Sequence, residues 1–220
     1  MSLAGTKIFR CCLVAITVAM CGLPVSANAE GEHSRRAATE LLVLSGDIQK
    51  LANNNPSDLH SKGLKERIAG GLAGLEILLR LADQETGRNP VDYTTDLSNI
   101  RKSWLASNYS AMTTGVGGLQ ILHPFAANGI LPAKDSKAAI IVAKELHDDL
   151  CAACHNDPDL EVSRPAYSLF KEARRMPVNE FAARMVVGVR GDRITGIDNP
   201  LSDAQISALI YYYKSVSIAE

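Results

Sequence analysis

The chain has no surplus of charge. Its 23 Lys and Arg residues stand against 24 Asp and Glu, a formal net charge of −1, which excludes the basic footprint of a nucleic-acid-binding protein. Aromatic residues are scarce, 5% of the chain with a single Trp. With 16 Gly and 9 Pro in 220 residues, collagen-like and low-complexity classes are excluded. Five Cys residues are an odd number for a secreted disulfide framework and too few for a disulfide-dense one. Paired catalytic carboxylates, a nucleophile elbow and a phosphate-binding loop are all missing, so no catalytic constellation is visible. Beyond residue 29 no segment is apolar enough to span a bilayer. Residues 68–81 come nearest, but they carry Glu76 and Arg80. What remains is an ordinary globular composition, long enough for one or two domains.

The opening residues have the layout of a secretory signal peptide. Lys7 and Arg10 supply a positive start, residues 11–24 a short apolar run ending in Pro24, and Ala27-Asn28-Ala29 a small-x-small cleavage site before Glu30. Cleavage after Ala29 removes Lys7, Arg10, Cys11, Cys12 and Cys21, and no acid. The mature chain then has 191 residues, 21 basic against 24 acidic, and two cysteines. The expected protein is exported, periplasmic and mildly acidic.

Those two cysteines stand in one motif, Cys151-Ala152-Ala153-Cys154-His155. This is C-x-x-C-H, the attachment signature of c-type haem. Two thiols one helical turn apart can each add to one of the two vinyl groups of a porphyrin, and the adjacent His then supplies the axial imidazole. Three other readings use the same residues: a Cys151–Cys154 disulfide, a thioredoxin-type redox pair and a zinc site. The redox pair expects a βαβ context that this sequence lacks, and zinc needs a second Cys or His pair nearby.

The flanks read as helices. Ser136 to Leu150 contains good helix formers without Gly or Pro, with Ser136 or Asp135 as the N-cap. A polar loop, Asn156-Asp157-Pro158-Asp159, follows the motif, and Pro165 comes ten residues after His155. A short helix is expected over 179–187. After the glycines at 188, 191 and 196, a last helix begins at Leu201-Ser202-Asp203 and runs to about Ser215, with Ile206, Leu209, Ile210 and Tyr213 at helical spacing.

Residues 136–220 resemble a class I c-type cytochrome domain, through Ala143-Lys144-Glu145-Leu146 leading into the motif and through 201–213 at the far end. The resemblance implies one covalent haem c on Cys151 and Cys154, with His155 as the proximal iron ligand. It implies that the first and last helices of the domain cross, with Leu146 and Tyr213 or their neighbours in contact. It also implies that a backbone carbonyl near Pro165 accepts the Nδ1 proton of His155. Such a domain carries electrons rather than catalysing a reaction, and its partner would be a periplasmic redox protein: a dehydrogenase, an oxidase or another cytochrome.

The distal side departs from that family. The loop before the last helix, 195–200, contains no Met. Four arrangements stand open. Met176, which precedes Pro177, ranks first as distal ligand. Met185 on the 179–187 helix is second and Asn199 third. In the fourth, the iron is five-coordinate with Ile197 over its face. His147 and His123 rank below these, and His147 reads as a surface or interface residue of its helix. A Met–His iron suits electron transfer, whereas an open site suits a haem-based sensor or small-ligand-binding protein.

Residues 30–130 are expected to form an antiparallel helical bundle. Leu41, Leu44, Ile48 and Leu51 mark a helix over 34–54. Leu64, Ile68, Leu72, Leu75 and Leu79 mark a second over 58–83. Leu97, Ile100, Trp104 and Met112 mark a third beginning near Thr95. Gly70, Gly71 and Gly74 are expected to admit a close neighbour, Gly115, Gly117 and Gly118 to loosen the chain, and Lys62, Lys65 and Arg67 to form a solvated face. The predicted fold is therefore all-α: a signal peptide (1–29), a helical domain (30–130) and a cytochrome c-like haem domain (136–220). The N-terminal helices would offer a docking surface or a homodimer contact.

Overall fold

The structure, a computed structural model, describes residues 31–89, 91–133, 135–190, 196–197 and 199–216. The expected signal peptide lies outside the described residues, as do Thr195 and Asp198 of the distal loop. The fold is all-α. Among the described residues the helices are α1 (Glu32–Asn53), α2 (Asp58–Glu85), α3 (Thr94–Leu105), α4 (Tyr109–Leu122), α5 (Lys137–Leu150), α6 (Ala152–His155), α7 (Leu169–Arg175), α8 (Val178–Val187) and α9 (Asp203–Ser215). One antiparallel ladder of two residues a side, β1 (Val189–Arg190) with β2 (Gly196–Ile197), lies between α8 and α9. No helix among the described residues is long and apolar enough to cross a membrane.

Four of the described helices start at a side-chain cap. Ser57, Asn108, Ser136 and Ser202 each accept a backbone N–H from the first turn of the helix they precede. Ser202 forms a full capping box with Gln205. Each such cap satisfies an otherwise orphaned donor.

Two apolar clusters organise the chain. The first joins Ala37, Leu41, Leu44 and Ile48 of α1 to Ile68, Leu72, Leu75 and Leu79 of α2, and to residues of α3 and α4 that include Leu97, Ile100, Met112 and Val116. The second gathers Ala143 of α5, Phe170 of α7, Phe181 and Met185 of α8, and Ile206, Leu209, Ile210 and Tyr213 of α9. Each fully buried Leu or Ile contributes about 1.5–3 kcal/mol relative to exposure.

Helix α1 belongs to both regions. One face lines the first cluster, while Val43 packs with Ala183 and Val187 of α8. Beside that contact, Asp47 is almost fully buried and binds Arg67 of α2 and Arg184 of α8, the latter at 2.7 Å. Arg184 also reaches Glu180 at 2.7 Å, and Lys50 reaches Glu172 of α7 at 3.0 Å. Burial pushes the Asp47 carboxyl up, but the two guanidiniums outweigh it and hold the group below its ordinary range. Arg67 is therefore an ion-pair partner rather than part of a solvated basic face.

Three expectations about the N-terminal helices need correction. The stretch read as one helix through Leu97 and Met112 is two, broken where Ser107 adopts φ 52° and Asn108 caps α4. Gly115, Gly117 and Gly118 lie inside α4, where Gly115 admits Ile100: a Cβ there would stand 2.6 Å from Ile100 Cγ1. Of Gly70, Gly71 and Gly74, the first and last face open space, while a Cβ on Gly71 would stand 3.1 Å from the Glu40 carboxylate. The tightest approach in α2 is at Gly63, where a Cβ would fall 2.0 Å from the Ser163 carbonyl oxygen.

Candidate functional site

Helix α5 delivers the motif. It runs from its Ser136 cap to Leu150, and Cys151 closes it by donating its N–H to the His147 carbonyl at 2.9 Å. The chain then makes a single further turn, α6, in which the N–H groups of Cys154 and His155 both donate to the Cys151 carbonyl, at 3.2 and 3.0 Å. Cys151 and Cys154 are free thiols, the first half-buried and the second exposed.

The His155 Nδ1 lies 2.6 Å from the carbonyl oxygen of Tyr167. A carbonyl only accepts, so Nδ1 carries the proton and the Nε2 lone pair is left for a ligand. The acceptor is two residues beyond Pro165, close to the expected position. Burial pushes the imidazole below its ordinary basicity, against the effect of the Tyr167 hydrogen bond and with a small repulsion from His147. Burial thus favours the neutral form of the ring.

Helix α9 crosses α5 directly behind the motif, and the contact is aromatic. Ala143, His147 and Cys151 follow one another at four-residue spacing, on one face of α5. His147 is 3% exposed, an interior residue and not a surface one. Its Nε2 lies 2.9 Å from Asn156 Oδ1 and its Nδ1 lies 3.0 Å from the Tyr213 hydroxyl. Phe170 stands edge-on to both rings, 5.2 Å from His147 and 4.9 Å from Tyr213 between centroids. The Tyr213 hydroxyl also faces the Cys151 thiol. Burial raises that thiol's pKa, and the Tyr213 hydroxyl partly offsets the rise. Burial likewise pushes the Tyr213 phenol well above its ordinary range, so it remains a donor.

The distal candidates are less uniform. Met176 ends α7 and packs, half-buried, against the second cluster. Met185 lies inside that cluster on α8. Asn199 donates its Nδ2 to the Met185 carbonyl at 2.6 Å and accepts the Leu201 N–H on Oδ1 at 2.9 Å. Both polar ends of Asn199 are thus engaged with backbone, and it serves as a clasp between α8 and the approach to α9. Ile197 pairs through its backbone with Val189. His123, in the N-terminal half, is buried against Tyr93 at 2.8 Å.

The donor set fits a covalently held haem. Two free thiols share one turn, an imidazole follows with its Nδ1 fixed, and Leu150, Leu160 and Val162 flank the motif as exposed apolar side chains. It suits zinc poorly, because no three His, Cys, Asp or Glu side chains converge as metal ligands among the described residues. Sequence reasoning gave no supporting role to His147, to His60 or to the Tyr167 hydroxyl that His60 meets at 3.1 Å. The four-residue spacing of Ala143, His147 and Cys151 was a usable signal for the first. The other two are placed by contacts distant in sequence. Compared with protein-family models, with curated proteins and with solved structures, the chain finds no match in any of the three.

Proposed function

We propose that the chain is an exported monohaem c-type cytochrome that passes electrons between periplasmic redox proteins. The observation that carries this reading is the single turn holding Cys151, Cys154 and His155, with His155 Nδ1 tied to the Tyr167 carbonyl. Haem, when bound, supplies a one-electron iron couple. Cys151 and Cys154 would hold it covalently, each through a thioether whose formation would pass the thiol's hydrogen to the vinyl group. His155 would ligate the iron through Nε2, and the Tyr167 carbonyl fixes the ring's tautomer and strengthens its donor character. Met176 or Met185 is the distal candidate. Asn199 ranks below both because its side chain is already engaged.

Electron transfer is favoured over ligand sensing if the sixth position is filled. The test is the absorption spectrum of the purified ferric protein, followed by carbon monoxide added to the reduced form. A Met–iron charge-transfer band without prompt carbon monoxide binding is expected, and replacing the ligating Met by Leu abolishes the band. Prompt binding with no band in the unmodified protein would instead support a haem-based sensor or small-ligand-binding protein.

A further inference from the structure

His60 lies in the first turn of α2, far from the motif in sequence. Its Nε2 is 3.0 Å from the Leu160 carbonyl oxygen and its Nδ1 is 3.1 Å from the Tyr167 hydroxyl. The carbonyl accepts, so Nε2 carries the proton, and Nδ1 receives the Tyr167 O–H. The His60 and Tyr167 rings also meet edge to face, 6.0 Å between centroids at 87°. One turn along, Gly63 lies so close to the Ser163 carbonyl that no side chain fits there. Helix α2 therefore grips the segment between α6 and α7 at residues 160, 163 and 167. That segment contains no helix or strand of its own, so tertiary contacts of this kind hold its backbone. Tyr167 is also the residue whose carbonyl receives His155 Nδ1–H, at 2.6 Å.

We infer that His60 is a positioning residue for the axial imidazole: it holds Tyr167 by the hydroxyl, so that the Tyr167 carbonyl stays on His155 Nδ1. Through this bond the N-terminal helices set the reduction potential of the haem. The inference rests on the haem reading above. A firm Nδ1–H···O bond makes the imidazole a stronger donor, which stabilises ferric over ferrous iron and lowers the potential. Loosening the Tyr167 backbone weakens the bond and raises the potential. The N-terminal half thereby acquires a role in tuning the iron, and a partner that displaces α2 from the loop would make the haem more oxidising.

The test uses the full chain carrying its covalent haem, as His60→Ala, Tyr167→Phe and the double variant. Spectroelectrochemical titration reads the potential, and proton NMR of the reduced protein reads the exchange rate of the His155 Nδ1 proton. Both single variants are expected to raise the potential and speed the exchange. The double variant should shift no further than the larger single one, because both act on one contact. Tyr167→Phe keeps the backbone and ring and removes only the hydroxyl, so it decides the matter if His60→Ala fails to fold. A haem-loaded Tyr167→Phe protein with the unmodified potential overturns the inference. An unmodified chain that carries no covalent haem overturns the underlying haem reading instead.

Discussion

Replacing Asp47 by Asn should uncouple the two regions of the fold. The Asp47 side chain is 1% exposed and sits between Arg67 and Arg184, whose side chains are 27% and 16% exposed. Asn keeps the shape and removes the charge, leaving two guanidiniums that repel one another. Breaking a buried pair from one side costs about 3–5 kcal/mol. Both arginines retain some access to water and Arg184 keeps Glu180, so the lower figure, about 3 kcal/mol, applies here. For a domain of this size that corresponds to a fall of roughly 6–12 °C in Tm. The folded-state carboxyl is held below its unfolded value. Its contribution is therefore complete above the unfolded pKa near ~3.9 and disappears as pH falls through the folded value. Circular dichroism melts of both proteins at pH 7 and at about pH 3 measure this, the gap being large at pH 7 and shrinking with acid. A change below about 2 °C at pH 7, or the same gap at both pH values, would refute the reasoning from burial and pairing.

Two further substitutions follow from the same structure. Ser202→Ala removes one side of the α9 capping box and should cost about 1 kcal/mol in urea denaturation; no loss would mean the cap is idle. Tyr213→Phe leaves the buried His147 Nδ1 without its partner, at about 1–3 kcal/mol. It also withdraws the hydroxyl that lowers the Cys151 pKa, so in haem-free protein Cys151 should alkylate more slowly at fixed pH. Unchanged alkylation would mean that the hydroxyl does not reach the thiol.

Much of the helical layout is legible in the residue pattern. The starts at Asp58, Lys137 and Asp203 follow from serines whose hydroxyls cap them. The break between α3 and α4 is hidden because Trp104 and Met112 stand eight residues apart, close to two turns of one helix. Both pack on the same core, so the apolar rhythm runs across the turn at Ser107. The α4 glycines mislead for a related reason: what Gly115 admits is Ile100, a residue of another helix. Cys151, Cys154 and His155 are local in sequence, so their shared turn can be read from spacing alone. Their supports cannot, since His147 meets Tyr213 across 66 residues and His60 meets Tyr167 across 107. Such pairs arise from how α2, α5 and α9 pack, which no periodicity encodes.

The central claim is that Cys151 and Cys154 hold haem covalently. The direct measurement is a pyridine haemochrome assay on the full chain, produced in cells that attach c-type haem, with haem staining after denaturing electrophoresis. The predicted result is one haem per chain that survives denaturation and is lost in the Cys151→Ala, Cys154→Ala double variant. An unmodified chain without covalent haem, its two cysteines free or joined as a disulfide, would contradict it.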